Sequence, residues 1–149
     1  MLDKEQILAL IPHRPPFLWI DRIVELEAGI RCVALKFVDP ADALFAGHFP
    51  GNAILPGVFL IEAAAQTAGV MMACCRSEAP SPEGKDPADA ERLLAAVNRF
   101  KFLRPVRPGA ELRIEVRKVA EVGPMAYVEA TVSVGDSQVA KGELALYGT

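Results

Sequence analysis

A chain of 149 residues suits one domain with one sizeable core, expected here to span 1–149. A net charge of −3 sets nucleic acid aside as a general partner. The longest apolar run, 53–75, is broken by Pro56, Glu62 and Gln66, so a buried helix or a subunit interface is expected rather than a membrane insertion.

The start, Met1-Leu2-Asp3-Lys4-Glu5-Gln6, lacks the basic residues and apolar stretch of a signal peptide, and a cytoplasmic location is expected. Cys32, Cys74 and Cys75 form no paired framework and read as buried free thiols of a reducing compartment. Asp3 is placed to cap a short helix with an apolar stripe of Ile7, Leu8, Leu10 and Ile11, and Pro12 stops it. Pro15 and Pro16 keep the next residues extended. Residues 17–27 and 30–38 read as two strands joined at Ala28-Gly29.

Residues 39–56 form a long Pro- and Gly-studded loop, which in a small domain is usually functional. Gly57 to Cys75 is Ala-rich and apolar on every face, which predicts a helix buried on all sides. Arg76 to Asp89, with Ser, Pro, Gly and mixed charges, reads as a mobile connection. From Glu91 onward the period is two. Strands are expected at roughly 93–103, 110–121, 125–134 and 138–147, separated by Arg-Pro-Gly, Val-Gly-Pro and Gly-Asp turns. One long helix and about six antiparallel strands make an α+β domain, with the sheet wrapped around the helix.

Three features in this frame carry chemistry. His48 lies in the irregular stretch Gly47-His48-Phe49-Pro50-Gly51. Alone it could be a loop residue bonded to backbone; beside an apolar helix carrying a carboxylate it reads as a general base. Glu62 is flanked by Ile61, Ala63, Ala64 and Ala65, and burial there predicts a raised pKa and a general acid. Gln66, one turn on, is placed to orient it. Gly57 and Val58 start the helix after Pro56, and their N–H groups can hold a carbonyl oxygen that gains negative charge.

Arg99-Phe100-Lys101-Phe102-Leu103-Arg104 alternates. Its basic residues Arg99, Lys101 and Arg104 read equally as a solvated strand face or as a docking patch for an acidic partner. His13-Arg14 has no evident chemical partner and reads as structural. No His/Cys/Asp/Glu cluster has ligand spacing, so no metal site is expected.

Pro12-His13-Arg14, Pro16-Phe17-Leu18, Asp21-Arg22, the His48 loop, Leu55-Pro56-Gly57-Val58, Glu62-Ala63, Ala65-Gln66, Phe102-Leu103-Arg104-Pro105-Val106 and Pro108-Gly109 occur in order over almost the whole chain. Together they resemble the (3R)-hydroxyacyl-[acyl-carrier-protein] dehydratase family, in its FabZ-type branch of bacterial type II fatty-acid synthesis. The resemblance implies a hot-dog fold and a homodimer paired edge to edge, often assembled as a trimer of dimers. It implies an active site at the dimer interface, with the His and the acid from different subunits.

His48 matches the family's catalytic His and Glu62 its catalytic acid; Asp stands there in the isomerising branch. Gly57 and Val58 match the backbone donors to the thioester carbonyl. The substrate would arrive on the phosphopantetheine of acyl carrier protein, with no metal or redox cofactor. Two departures are Ala53, where the family usually has Pro, and a longer connection over 76–89 that could gate the acyl tunnel. Other readings of the same residues are a hot-dog acyl thioesterase and a non-catalytic acyl-thioester-binding protein.

Overall fold

Asp3 accepts a hydrogen bond from the Gln6 N–H while the Gln6 side chain accepts from Asp3 N–H, a reciprocal cap that opens α1 (Lys4–Leu8). The computed structural model describes residues 1–76 and 91–148. In chain order the elements after α1 are β1 (Arg22–Glu27), β2 (Arg31–Phe37), a 3-10 turn (Ala43–Ala46), α2 (Gly57–Arg76), β3 (Arg92–Phe102), β4 (Glu111–Val122), β5 (Met125–Val134) and β6 (Ser137–Gly148). The connection expected over 76–89 lies, beyond Arg76, outside the described residues.

All six strands join one antiparallel sheet in the order β1-β2-β4-β5-β6-β3. Alternation sends Leu112, Ile114 and Val116, then Ala126, Val128, Ala130 and Val132, then Leu144 and Leu146 to one face, where they are buried. Helix α2 packs against the sheet, and its Ala63, Ala64, Ala68, Val70 and Met71 are buried in the same core. Each fully buried Leu, Ile or Met is worth roughly 1.5–3 kcal/mol of transfer free energy, so this one helix–sheet layer holds most of the core. By length and composition α2 could cross a membrane, but most of that stretch is buried inside the domain. This is the hot-dog arrangement that the resemblance implies.

Three expectations need correction. The first strand begins at Arg22 rather than residue 17. Leu18, Trp19 and Ile20 are buried, but the Trp19 N–H donates to the side chain of Gln66 at 2.8 Å instead of to a neighbouring strand. Helix α2 is not buried on all sides: Val58 is exposed, and Glu62, Ala65 and Ala73 line an opening. Of the cysteines only Cys32 is buried, its thiol pushed up to about 12 mainly by burial; Cys74 is half-buried and Cys75 exposed.

The two sheet edges differ. On β1, Arg22, Glu25 and Glu27 are exposed, and Glu25 joins a ring of ion pairs with Arg31, Glu115 and Arg113 at 2.6–3.1 Å across β1, β2 and β4. On and just after β3, Leu93, Leu94, Val97, Phe102 and Leu103 are all 40% or more exposed.

Candidate active site

His48 is held by its loop. The side chain of Asp42 accepts from the Leu44 N–H and caps the 3-10 turn, after which Gly47 N–H closes onto Leu44 O. Phe49 and Asn52 exchange two backbone hydrogen bonds (3.0 and 2.9 Å), and Ile54 N–H donates to His48 O at 3.0 Å. From the β3–β4 turn, Arg107 donates to Asn52 Oδ1 at 2.9 Å. His48 Nδ1 lies 2.7 Å from Ile54 O. A carbonyl can only accept, so the proton sits on Nδ1 and Nε2 presents its lone pair. The Phe49 ring stacks on the imidazole at 3.9 Å. The outcome is a half-buried His whose neutral ring has a fixed tautomer.

His48 shares a cavity of about 440 Å³ with Gly57, Val58, Phe102, Leu103 and Arg104. Gly57 opens α2, where the first N–H groups have no partner within the helix and the dipole is positive. The ring of Phe102 lies against it so closely that a Cβ at residue 57 would sit 2.7 Å from Phe102 Cε1. A side chain there would have to displace the Phe102 ring. The sequence placed His48, Gly57 and Val58 together, and the structure does the same.

Glu62 lines a different cavity, of about 230 Å³, with Leu10, Ile11, His13, Phe17, Ala65, Gly69, Ala73 and Arg92 among its walls. Ala65, Gly69 and Ala73 follow Glu62 along one helix face, leaving a slot beside it. Gln66 is buried, and all its polar atoms that face protein are used. Oε1 accepts from Trp19 N–H (2.8 Å), while Nε2 donates to Phe17 O (2.8 Å) and to Glu62 Oε1 (2.9 Å). The orienting role expected of Gln66 thus has a bonded basis.

Two expectations about this carboxylate are overturned. Burial does push the Glu62 carboxyl up, but hydrogen bonding from His13 and Gln66 and the field of His13 outweigh it, so its pKa is lowered rather than raised. His13, read as structural, has Nε2 3.4 Å from Glu62 Oε1. The signal that could have found it was the carboxylate itself: a Glu inside an apolar helix needs a donor partner, and the chain has one His besides His48.

The basic residues 99, 101 and 104 do not form one patch. A bulge between Asn98 and Lys101 puts Arg99 at φ 49°, and its guanidinium pairs with Glu143 at 3.0 Å. Arg99 and Lys101 share a shallow depression with Lys141, Glu129 and Glu143, which is mixed in charge. Arg104 instead lines the His48 cavity and donates to Ser137 Oγ at 2.8 Å.

Within one chain, His48 and Glu62 therefore occupy separate cavities. One holds an imidazole whose Nδ1 is bonded to Ile54 O, the other a carboxylate bonded to Gln66 with His13 beside it.

Comparison with known proteins joins this geometry to a family. Residues 11–143 match the model of the FabA-like domain. The chain is 41% identical over 138 residues to a 3-hydroxyacyl-[acyl-carrier-protein] dehydratase FabZ of Herpetosiphon aurantiacus, covering 89% of this chain and 92% of the relative. It is 42% identical over 144 residues to the protein of that name from Chloroflexus aggregans, covering 97% and 94%. Among solved structures, the dehydratase heterocomplex ApeI:P from Xenorhabdus doucetiae superposes with a TM-score of 0.79 at 19% identity, covering 96% of this chain and 90% of that one, which is a likeness of fold.

Proposed function

The chain belongs to the FabA-like family, and from that membership and its two proton-handling cavities we propose that it catalyses the reversible dehydration of a (3R)-hydroxyacyl thioester to the trans-2-enoyl thioester and water. The observation that carries the reading is His48: its Nδ1–H is committed to Ile54 O, so Nε2 can take the C2 proton. As that proton leaves, negative charge grows on the thioester oxygen, which the first N–H of α2 at Gly57, and Val58 beside it, can meet. The C3–O bond breaks, and the hydroxyl departs as water with a proton from Glu62, which, its pKa being held low, must take that proton up before each turnover. Every proton moves between substrate and side chain, so the steps themselves call for no metal or redox group.

Two separate cavities in one chain are what a shared site requires. The exposed apolar residues of β3 form the edge on which a second copy would extend the sheet, bringing His48 of one chain to Glu62 of the other. In this reading residues 1–149 are one hot-dog domain, active as a homodimer or trimer of dimers in the cytoplasm. The substrate is carried by acyl carrier protein, and Arg104, on the rim of the His48 cavity, is the best placed of the basic residues to meet that acidic partner.

The test is turnover of a 3-hydroxyacyl carrier-protein thioester, followed by enoyl absorbance, in wild type, His48→Ala and Glu62→Gln. Loss of roughly 10³-fold or more in both folded variants is expected. A wild type that releases free thiol or binds acyl thioester unchanged would redirect the reading to a thioesterase or a binding protein.

A further inference from the structure

The Glu62 carboxylate is asymmetric. Gln66 Nε2 donates to Oε1 at 2.9 Å and His13 Nε2 approaches the same oxygen at 3.4 Å as an ion-pair contact, while Oε2 makes no hydrogen bond among the described residues. Gln66 cannot swap roles, because its oxygen is held by Trp19 N–H and its other N–H by Phe17 O.

His13 is fixed just as firmly. Pro12 ends the preceding helical turn, Arg14 donates to Ile11 O and His13 O at 2.8 and 2.7 Å, and the imidazole lies nearly parallel to the ring of Phe17. Among the described residues its Nδ1 is buried with no partner. A ring held with one nitrogen idle and the other on a carboxylate is positioned for that carboxylate and not for a local bond. Among the described residues, the other charged group on this cavity is Arg92, from β3, and the remaining walls are apolar or small apart from Glu62 and His13.

Resting on the dehydratase reading, we propose that His13 is a positioning residue for the acid step: with Gln66 it saturates Oε1, so that Oε2 is the oxygen that carries the proton to the leaving hydroxyl. The step balances simply. The C3–O bond pair goes to the departing oxygen, the Oε2 proton joins it to make water, and the residual carboxylate is stabilised by the N–H groups of His13 and Gln66. In the reverse direction the same pair holds Oε2 toward water, which it deprotonates as water adds at C3.

The variants are His13→Phe, which keeps the flat ring and loses the donor, and His13→Gln, which keeps a donor. The readouts are kcat and KM on a 3-hydroxyacyl carrier-protein thioester and the titration of the Glu62 carboxyl by carbon-13 NMR, assigned by its disappearance in Glu62→Gln. Without His13 the burial that pushes the carboxyl up has one opponent fewer, so His13→Phe raises its midpoint. Its kcat falls about 10–100-fold with KM little changed, and His13→Gln restores most of both.

A Glu62 midpoint in His13→Phe equal to wild type, or no rescue by Gln, overturns the role of His13 while wild-type turnover keeps the dehydratase reading intact. Absence of wild-type turnover removes both.

Discussion

The two halves of the site are built in opposite ways. His48 stands on irregular backbone, and one contact to Ile54 O fixes its tautomer, with Phe49 stacked on its ring. Glu62 stands on a regular helix, and two side chains fix it, Gln66 from the next turn and His13 from far along the chain. The difference follows from chemistry. A neutral imidazole needs one nitrogen blocked and the other free, which a carbonyl accomplishes. A carboxylate in apolar surroundings needs compensating donors, and a helix backbone has none to spare in its interior.

The most disruptive way to break the comparison is to keep the halves apart. Val97→Lys places a charge on the apolar β3 edge, and is expected to yield monomers by sedimentation and to lose about 10²-fold or more in turnover. Glu27→Lys on the already charged β1 edge should leave assembly and rate unchanged. Equal effects of the two would remove β3 as the meeting edge.

A sharper and next largest effect comes from complementation. Dimers purified with His48→Ala in one chain and Glu62→Gln in the other contain one intact site if each site draws on both chains. They should recover to about half the wild-type rate per dimer, against nearly nothing for either parent. No recovery would mean that each chain uses its own His48 and Glu62.

The smallest effect concerns the carrier. Arg104→Glu, on the rim of the His48 cavity, should raise KM for a carrier-bound substrate several-fold and leave a short thioester mimic unaffected. The double change Arg99→Glu and Lys101→Glu should do less, since Arg99 is already committed to Glu143. Equal effects on carrier and mimic would remove the docking role.

Much of this was legible in the chain, because local physics leaves local marks. Period-two alternation after Glu91 announced four strands, and β3 to β6 fall within one or two residues of those bounds. Pro56 followed by an Ala-rich, mostly apolar stretch without Pro fixed the start of α2 at Gly57. The Gly- and Pro-bounded loop marked His48, and apolar flanks marked Glu62 as a carboxylate that needs a reason to be there. The tertiary structure decided what depends on partners distant in sequence.

His13 meets Glu62 across 49 positions, and no local pattern records that contact; it reverses the direction of the Glu62 pKa. Residues 17–21 have strand composition, but Gln66 takes the Trp19 N–H and the strand starts later. The alternation that grouped Arg99, Lys101 and Arg104 ends with β3 at Phe102, so Arg104 turns to the His48 cavity while Arg99 and Lys101 stay together. Sequence thus determined which groups the protein possesses and the elements they ride on. Which of them face one another, and therefore how each holds its proton, is a property of long-range packing.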